Sequence, residues 1–249
     1  MQSAPRILYS DDEIVAVHKP AGLKVHRSGR QGANTPTTLA WVRNHLGQWV
    51  YPVHRLDQPT SGVLLFARSP EVASVLAAAF AGQQVHKTYW AVVRGHTPPG
   101  GLIDHPLVGN IHRPKAGQVP KPARTAFERL AAVELNHPVG QYPTSRYCLL
   151  RVHPLTGRMH QIRRHLHHIS HPVIGDTTYG DGRHNRFFRS HFDCRRLLLA
   201  AVQIALRHPR TGLDLTITAP PESSFAAVLR KMGMVFDGHI PPDGYKPVV

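Results

Sequence analysis

Short apolar runs, broken by Pro, Gly and Asp, dominate this chain. Ile7-Leu8-Tyr9, Ser10-Asp11-Asp12 and Ile14-Val15-Ala16-Val17-His18 read as strand, turn and strand, ended by Lys19-Pro20-Ala21-Gly22. Residues 37–46 predict a helix, with Pro36 near its first turn and Gly47 just past its end. Val63-Leu64-Leu65-Phe66-Ala67 reads as a buried strand, and 72–80 as a helix opened by Ser69-Pro70-Glu71. A strand over 87–93 puts Tyr89 and Ala91 on one face and Thr88, Trp90 and Val92 on the other. Further along, 147–152 predicts a strand, 159–169 a helix, 197–206 with 213–217 a hairpin, and 221–232 a last helix. Residues 96–124, rich in Pro, Gly, His and Lys, read as a long, mobile, basic insertion loop that includes His112-Arg113-Pro114-Lys115-Ala116-Gly117. With no repeat and no linker between self-sufficient halves, the expectation is one α+β domain over 1–249. Its sheet should be mixed and mainly antiparallel, flanked by helices and loops around a cleft.

Charge narrows the partner. The 249 residues carry 30 Lys plus Arg against 15 Asp plus Glu, a formal charge of +15. Such a chain suits a polyanion, and nucleic acid leads because phosphate contacts dominate affinity. A membrane fits poorly, since no apolar run reaches the ~18 residues a spanning helix needs. Met1-Gln2-Ser3-Ala4-Pro5-Arg6 has no apolar signal core, so a cytoplasmic location is expected. Two cysteines, Cys148 and Cys194, cannot build a disulfide framework or a four-thiolate zinc site.

In a chain so poor in acids, His54-Arg55-Leu56-Asp57-Gln58-Pro59-Thr60-Ser61-Gly62 stands out. It sets a carboxylate ahead of a turn and a buried strand. A carboxylate nucleophile must be ionised, positioned and shielded, and a neighbouring cation favours the ionised form. Arg55 shares the face of Asp57 if the segment is extended; otherwise Asp57 simply caps the turn. A second candidate lies in Gly157-Arg158-Met159-His160-Gln161-Ile162-Arg163-Arg164-His165-Leu166. On a helix Met159, Ile162 and Leu166 share one side. Arg163 then borders the stripe and can reach inward to a carboxylate, while Arg164 and His165 face solvent or phosphate. The alternative is a solvated basic face. Third, Tyr89 in Lys87-Thr88-Tyr89-Trp90 is either a core tyrosine or a surface on which an unpaired base stacks.

These segments, with His171-Pro172-Val173-Ile174-Gly175-Asp176 and Tyr179-Gly180, resemble in order the motifs of the RluA-type pseudouridine synthases. The resemblance runs from about residue 7 to 217. Met159, where the family usually has Thr, and Gln58, where it often has a basic residue, depart from the pattern. The resemblance implies the pseudouridine synthase fold and an isomerase that converts uridine to pseudouridine in tRNA, at uridine 65; the alternatives are a family member acting on ribosomal RNA or another tRNA position, and a non-catalytic RNA-binding protein. It implies Asp57 as nucleophile, Arg163 as its ion-pair partner, and Tyr89 stacking on uracil and taking part in proton transfer. Arg55 would occupy the space left by the flipped nucleotide, and His54, Arg158 and Arg164 would contact RNA. The implied enzyme is a monomer with no cofactor and no metal. His167 and His171 have the spacing of helical zinc ligands, but no Glu lies between them and Pro172 ends the helix. The histidine cluster is therefore read as part of the RNA face. Residues 151–210 add eleven Arg and no Lys, which favours bidentate phosphate contacts.

Overall fold

The strand-forming runs pair into one ten-stranded sheet in a computed structural model that describes residues 4–27, 35–109 and 117–234. In chain order the elements are β1 (Arg6–Ser10), β2 (Ile14–Lys19), α1 (Thr38–Leu46), β3 (Tyr51–Pro52), β4 (Ser61–Ala67) and α2 (Pro70–Ala81). Then come β5 (His86–Arg94), β6 (Gly100–Asp104), β7 (Arg124–Leu135), β8 (Ser145–Pro154) and α3 (Gln161–His168). The last are α4 (Gly182–Phe192), β9 (Leu199–Arg207), β10 (Asp214–Thr218) and α5 (Ser223–Lys231). The main path runs β1-β2-β4-β9-β5-β8-β7-β6, with β10 on β9 and β3 on β4. Its pairs are antiparallel except β4 with β9, where Ser61 meets Ala200 and Gly62 meets Ala201. The architecture is α+β, mixed and mainly antiparallel.

Side-chain alternation sets the layers. On β5, Trp90 and Val92 join a core with Phe187 and Phe188 of α4 and Phe225 and Val228 of α5. Ala91 and Val93 face the other way, against Ile162 and Leu166 of α3. Caps fix the helix starts: the Thr37 side chain accepts from Ala40 N at α1, and Ser69 accepts from Val72 N at α2. No described helix is long and apolar enough to cross a membrane.

Several expectations need correction. Strand β6 lies inside the segment read as a loop, and pairs with β7 from Gly100–Glu128 to Asp104–Arg124. Of that segment's basic stretch, residues 112–116 lie outside the described residues. The sequence reading assigned neither β7 nor α4. Helix α3 starts at Gln161 rather than at residue 159, because His160 takes a left-handed conformation (φ 53°) that breaks the helical path. His165, expected to face solvent, is fully buried: its ring lies 2.9 Å from Thr125 Oγ1 and 3.0 Å from the His105 carbonyl. A helix so short is packed against the sheet on more than its apolar stripe, and these two partners satisfy the ring.

Candidate active site

Strand β9 brings the site together. Ala201 pairs with Gly62 on one side and with Tyr89 on the other, so the turn ahead of β4 and the middle of β5 flank one position. That turn is closed by Thr60 N donating to the Asp57 carbonyl at 3.0 Å. It is also tied to the bend after β2. The Gln58 carbonyl accepts from Gly22 N at 2.8 Å and from Lys19 Nζ at 3.1 Å. Lys19 Nζ also donates to the carbonyls of Pro20 and Leu23, at 2.9 and 2.8 Å. Three acceptors call for the three N–H groups of an ammonium, although burial pulls the Lys19 pKa down to about 7. Asp57 is thus held by its backbone, with its side chain 19% exposed and lining a cleft of about 550 Å³.

Arg163 reaches into the same cleft from α3. Its Nη1 donates to Asp57 Oδ2 at 3.1 Å. The remainder of its fork is bidentate to Asp176: Nε to Oδ2 at 2.7 Å and Nη2 to Oδ1 at 2.8 Å. One guanidinium therefore bridges two carboxylates, a geometry that lysine cannot reproduce. Burial would lower the Arg163 pKa, but Asp176 and Asp57 together hold it above its usual value. Burial would likewise raise Asp176, yet Arg163 and the amides of Tyr179 and Thr178 keep it below the ordinary carboxylate range. Asn185 of α4 fixes that turn, with Oδ1 accepting from Gly175 N at 2.7 Å and Nδ2 donating to the Asp176 carbonyl at 2.8 Å.

Tyr89 also lines the cleft. Burial first, then Asp57, pushes its phenol well above the usual range, so it stays protonated at neutral pH. On the far side of Asp57, His160 places Nε2 3.8 Å from Oδ1, and its Nδ1 lies 3.0 Å from the Tyr179 hydroxyl. The Arg163 guanidinium sits 5.2 Å from the centre of the Tyr179 ring.

The other residues singled out by sequence fall in different places. His54 lines the cleft, but its Nε2 accepts from Leu65 N at 2.9 Å and its ring stacks on Phe80. Burial, then Lys87, lowers its pKa to about 3, so the ring is neutral with its proton on Nδ1. Arg55 is exposed on the cleft and forms no ion pair among the described residues; the cation on Asp57 is Arg163 instead. Arg158 lines the cleft and its Nε donates to the Pro122 carbonyl at 3.2 Å. Arg164 points away, donating to the Val108 carbonyl at 2.8 Å. His171 Nδ1 lies 2.9 Å from the Arg94 carbonyl, so that nitrogen carries a proton and is occupied. Sequence reasoning gave no role to Asp176, His160, Tyr179 or Asn185. The first three stand inside the quoted motifs, and the signal at Asp176 was an acid in an otherwise acid-poor segment.

Comparison with known proteins gives the family of the chain. Residues 13–168, which include Asp57, Tyr89, His160 and Arg163, match the family described as RNA pseudouridylate synthase. A Yersinia pestis protein named tRNA pseudouridine synthase C is 45% identical over 232 residues, covering 91% of this chain and 90% of its own. A Vibrio cholerae protein of the same name is 43% identical, covering 91% and 95%. Against a third, from Pectobacterium carotovorum subsp. carotovorum, identity is 45% and this chain spans only 62% of the relative's length. Among solved structures, Human RNA Pseudouridylate Synthase Domain Containing 4 superposes with a TM-score of 0.66 at 25% identity, covering 91% and 92% of the two chains. Human RNA Pseudouridylate Synthase Domain Containing 1 gives 0.70 at 24% identity, over 90% and 87%, and shares the fold. With residues 13–168 matched by the family and most of its length shared with these relatives, the chain belongs to the RNA pseudouridylate synthase family.

Proposed function

We propose that this chain isomerises uridine to pseudouridine in tRNA, at uridine 65, with Asp57 as nucleophile, Arg163 as its ion-pair partner and Tyr89 as the surface on which the uracil stacks. The observation that carries the proposal is the 3.1 Å contact from Arg163 Nη1 to Asp57 Oδ2 in a cleft that Tyr89 also lines. The names of the relatives direct it to tRNA. In the reaction the N1–C1′ bond breaks, the base turns, and C5 bonds to C1′; C5 gives up its proton and N1 gains one. The exchange is redox-neutral, so the reading includes no cofactor. It also takes the enzyme as a cytoplasmic monomer.

Asp57 can add to the base, attack C1′ or remove a sugar proton. Each route needs a positioned carboxylate, and Arg163 Nη1 holds one of its oxygens. Lys87, Arg55 and Arg158 along the cleft supply positive charge for the flanking phosphates.

The test is Asp57→Asn, assayed by pseudouridine mapping on unmodified tRNA. The variant should form no pseudouridine and still bind tRNA, since phosphate contacts set affinity. Turnover within about ten-fold of the parent would remove Asp57 from the chemistry. Modification at a different uridine would keep the chemistry and discard position 65.

A further inference from the structure

We propose that His160, oriented by Tyr179, is a positioning residue for Asp57: it holds the second carboxylate oxygen while Arg163 holds the first. The inference rests on the reading of Asp57 as nucleophile and adds to it a role for two residues.

The contacts form a closed ring. Asp57 Oδ2 meets Arg163, which forks onto Asp176. Asp176 Oδ1 accepts from Tyr179 N at 3.0 Å, the Tyr179 hydroxyl meets His160 Nδ1 at 3.0 Å, and His160 Nε2 faces Asp57 Oδ1 at 3.8 Å. The tautomer follows from the neighbours. A carboxylate opposite Nε2 favours a proton there, which leaves Nδ1 as acceptor in the neutral ring. The Tyr179 hydroxyl is then the donor. Burial raises the Tyr179 pKa, so its proton is present to be donated.

Two features of the backbone point the same way. His160 is the N-cap of α3, and its ring turns toward Tyr179 and Asp57 instead of capping the helix. Its left-handed φ of 53° is uncommon outside glycine, and such conformations cluster where a side chain must be aimed. The result is control of rotation. With only Oδ2 bonded, the Asp57 carboxylate is free to turn about its terminal torsion. A donor facing Oδ1 fixes the plane of the carboxylate. At 3.8 Å the Nε2–Oδ1 contact is longer than a hydrogen bond, as expected where catalytic contacts tighten only with substrate bound.

The test uses the full chain and unmodified tRNA, reading single-turnover rate at saturating enzyme, tRNA Kd and melting temperature for His160→Leu, His160→Gln, Tyr179→Phe and the Leu/Phe double variant. His160→Leu should slow the chemical step by about ten- to a hundred-fold, the range a misplaced group produces. Its Kd and melting temperature should stay near the parent's. His160→Gln, which keeps a donor near Oδ1, should recover most of the rate. Tyr179→Phe should slow the parent but add nothing on top of His160→Leu, because the hydroxyl acts through the ring. A parental rate in His160→Leu, a loss confined to Kd, or full additivity of the two substitutions would overturn the inference. Should His160→Leu not fold, the His160→Gln and Tyr179→Phe rates decide it: parental Gln and slowed Phe support it, and an unslowed Phe overturns it. Asp57→Asn is assayed beside them. If that variant is active, the underlying reading fails; if it is dead while His160→Leu is unimpaired, only this inference fails.

Discussion

Tyr89 holds its proton more firmly than a free tyrosine, because burial and then the Asp57 charge both disfavour the phenolate. A phenol in that state is a poor base at neutral pH. The role of Tyr89 in proton transfer, implied by resemblance, is therefore the weaker of its two expected roles. Stacking is the stronger. Tyr89→Phe keeps the ring and should turn over within a few-fold of the parent under single-turnover conditions. Tyr89→Leu should lose about 1–3 kcal/mol of base stacking, or roughly ten-fold or more in rate at limiting enzyme. A Phe variant as slow as the Leu variant would give the hydroxyl the chemistry after all. At this scale the sequence was most legible where a residue type is rare. Asp57 stood out among few acids, and Arg163 stood at the border of an apolar stripe. Asp176 was as rare in its own segment but was given no role, although it takes most of the Arg163 fork. It meets Arg163 through the turn after α3, and neither helical nor strand periodicity reports such a contact.

Among the elements, the parallel contact between β4 and β9 is the most demanding. Gly62 has φ +117°, and a Cβ there would lie 2.0 Å from the Ala201 carbonyl oxygen. Because Ala201 also pairs with Tyr89, any shift of β9 moves both walls of the cleft. Gly62→Ala should therefore cost more than the ~4 kcal/mol that marks an exceptional single substitution, visible as a large drop in urea midpoint. A midpoint close to the parent's would mean that β4 and β9 separate easily, and the shared register would not be what sets the distance from Asp57 to Tyr89. Most element cores were legible from alternation and caps: β2, α1, β4, α2, β5 and β9 fall where the pattern put them, within a few residues. Strand β7 was not. Its Arg-Leu-Ala-Ala-Val-Glu-Leu stretch is rich in helix formers, and pairing with both β6 and β8 overrides that preference. Helix α4 had a usable signal that went unread. Asp181 caps it through Arg183 N and His184 N, and Phe187, Phe188 and Phe192 fall on its buried side. Eleven residues dense in Arg and His hid that stripe.

Across the whole molecule, acid should be a strong denaturant. His18, His54, His165 and His184 all have pKa values lowered, in each case first by burial. For His54 the folded value is about 3, against an ordinary value of about 6.5 in the unfolded chain. The sign follows directly. Above the unfolded value both states hold the ring neutral and the stabilisation is complete. As pH falls below about 6.5 the unfolded chain binds a proton that the folded His54 refuses until about pH 3, so stability is lost across that window. Asp11, lowered to about 2, extends the same trend further into acid. Each withheld proton contributes a slope of up to about 1.4 kcal/mol per pH unit. The formal charge of +15 rises further as histidines protonate, and self-repulsion adds to the loss. Urea midpoints measured from about pH 8 down to pH 4 should fall steadily, with most of the change below about pH 6.5. His54→Gln isolates one of these protons. Its side-chain oxygen can still accept from Leu65 N, but it cannot stack on Phe80 as the ring does. The variant should be less stable than the parent at about pH 8 and should close that gap by about pH 4, since one fewer group resists protonation. Parallel curves for the two proteins would show that His54 titrates alike folded and unfolded, and that its ring is not shielded by the wall it shares with Phe80.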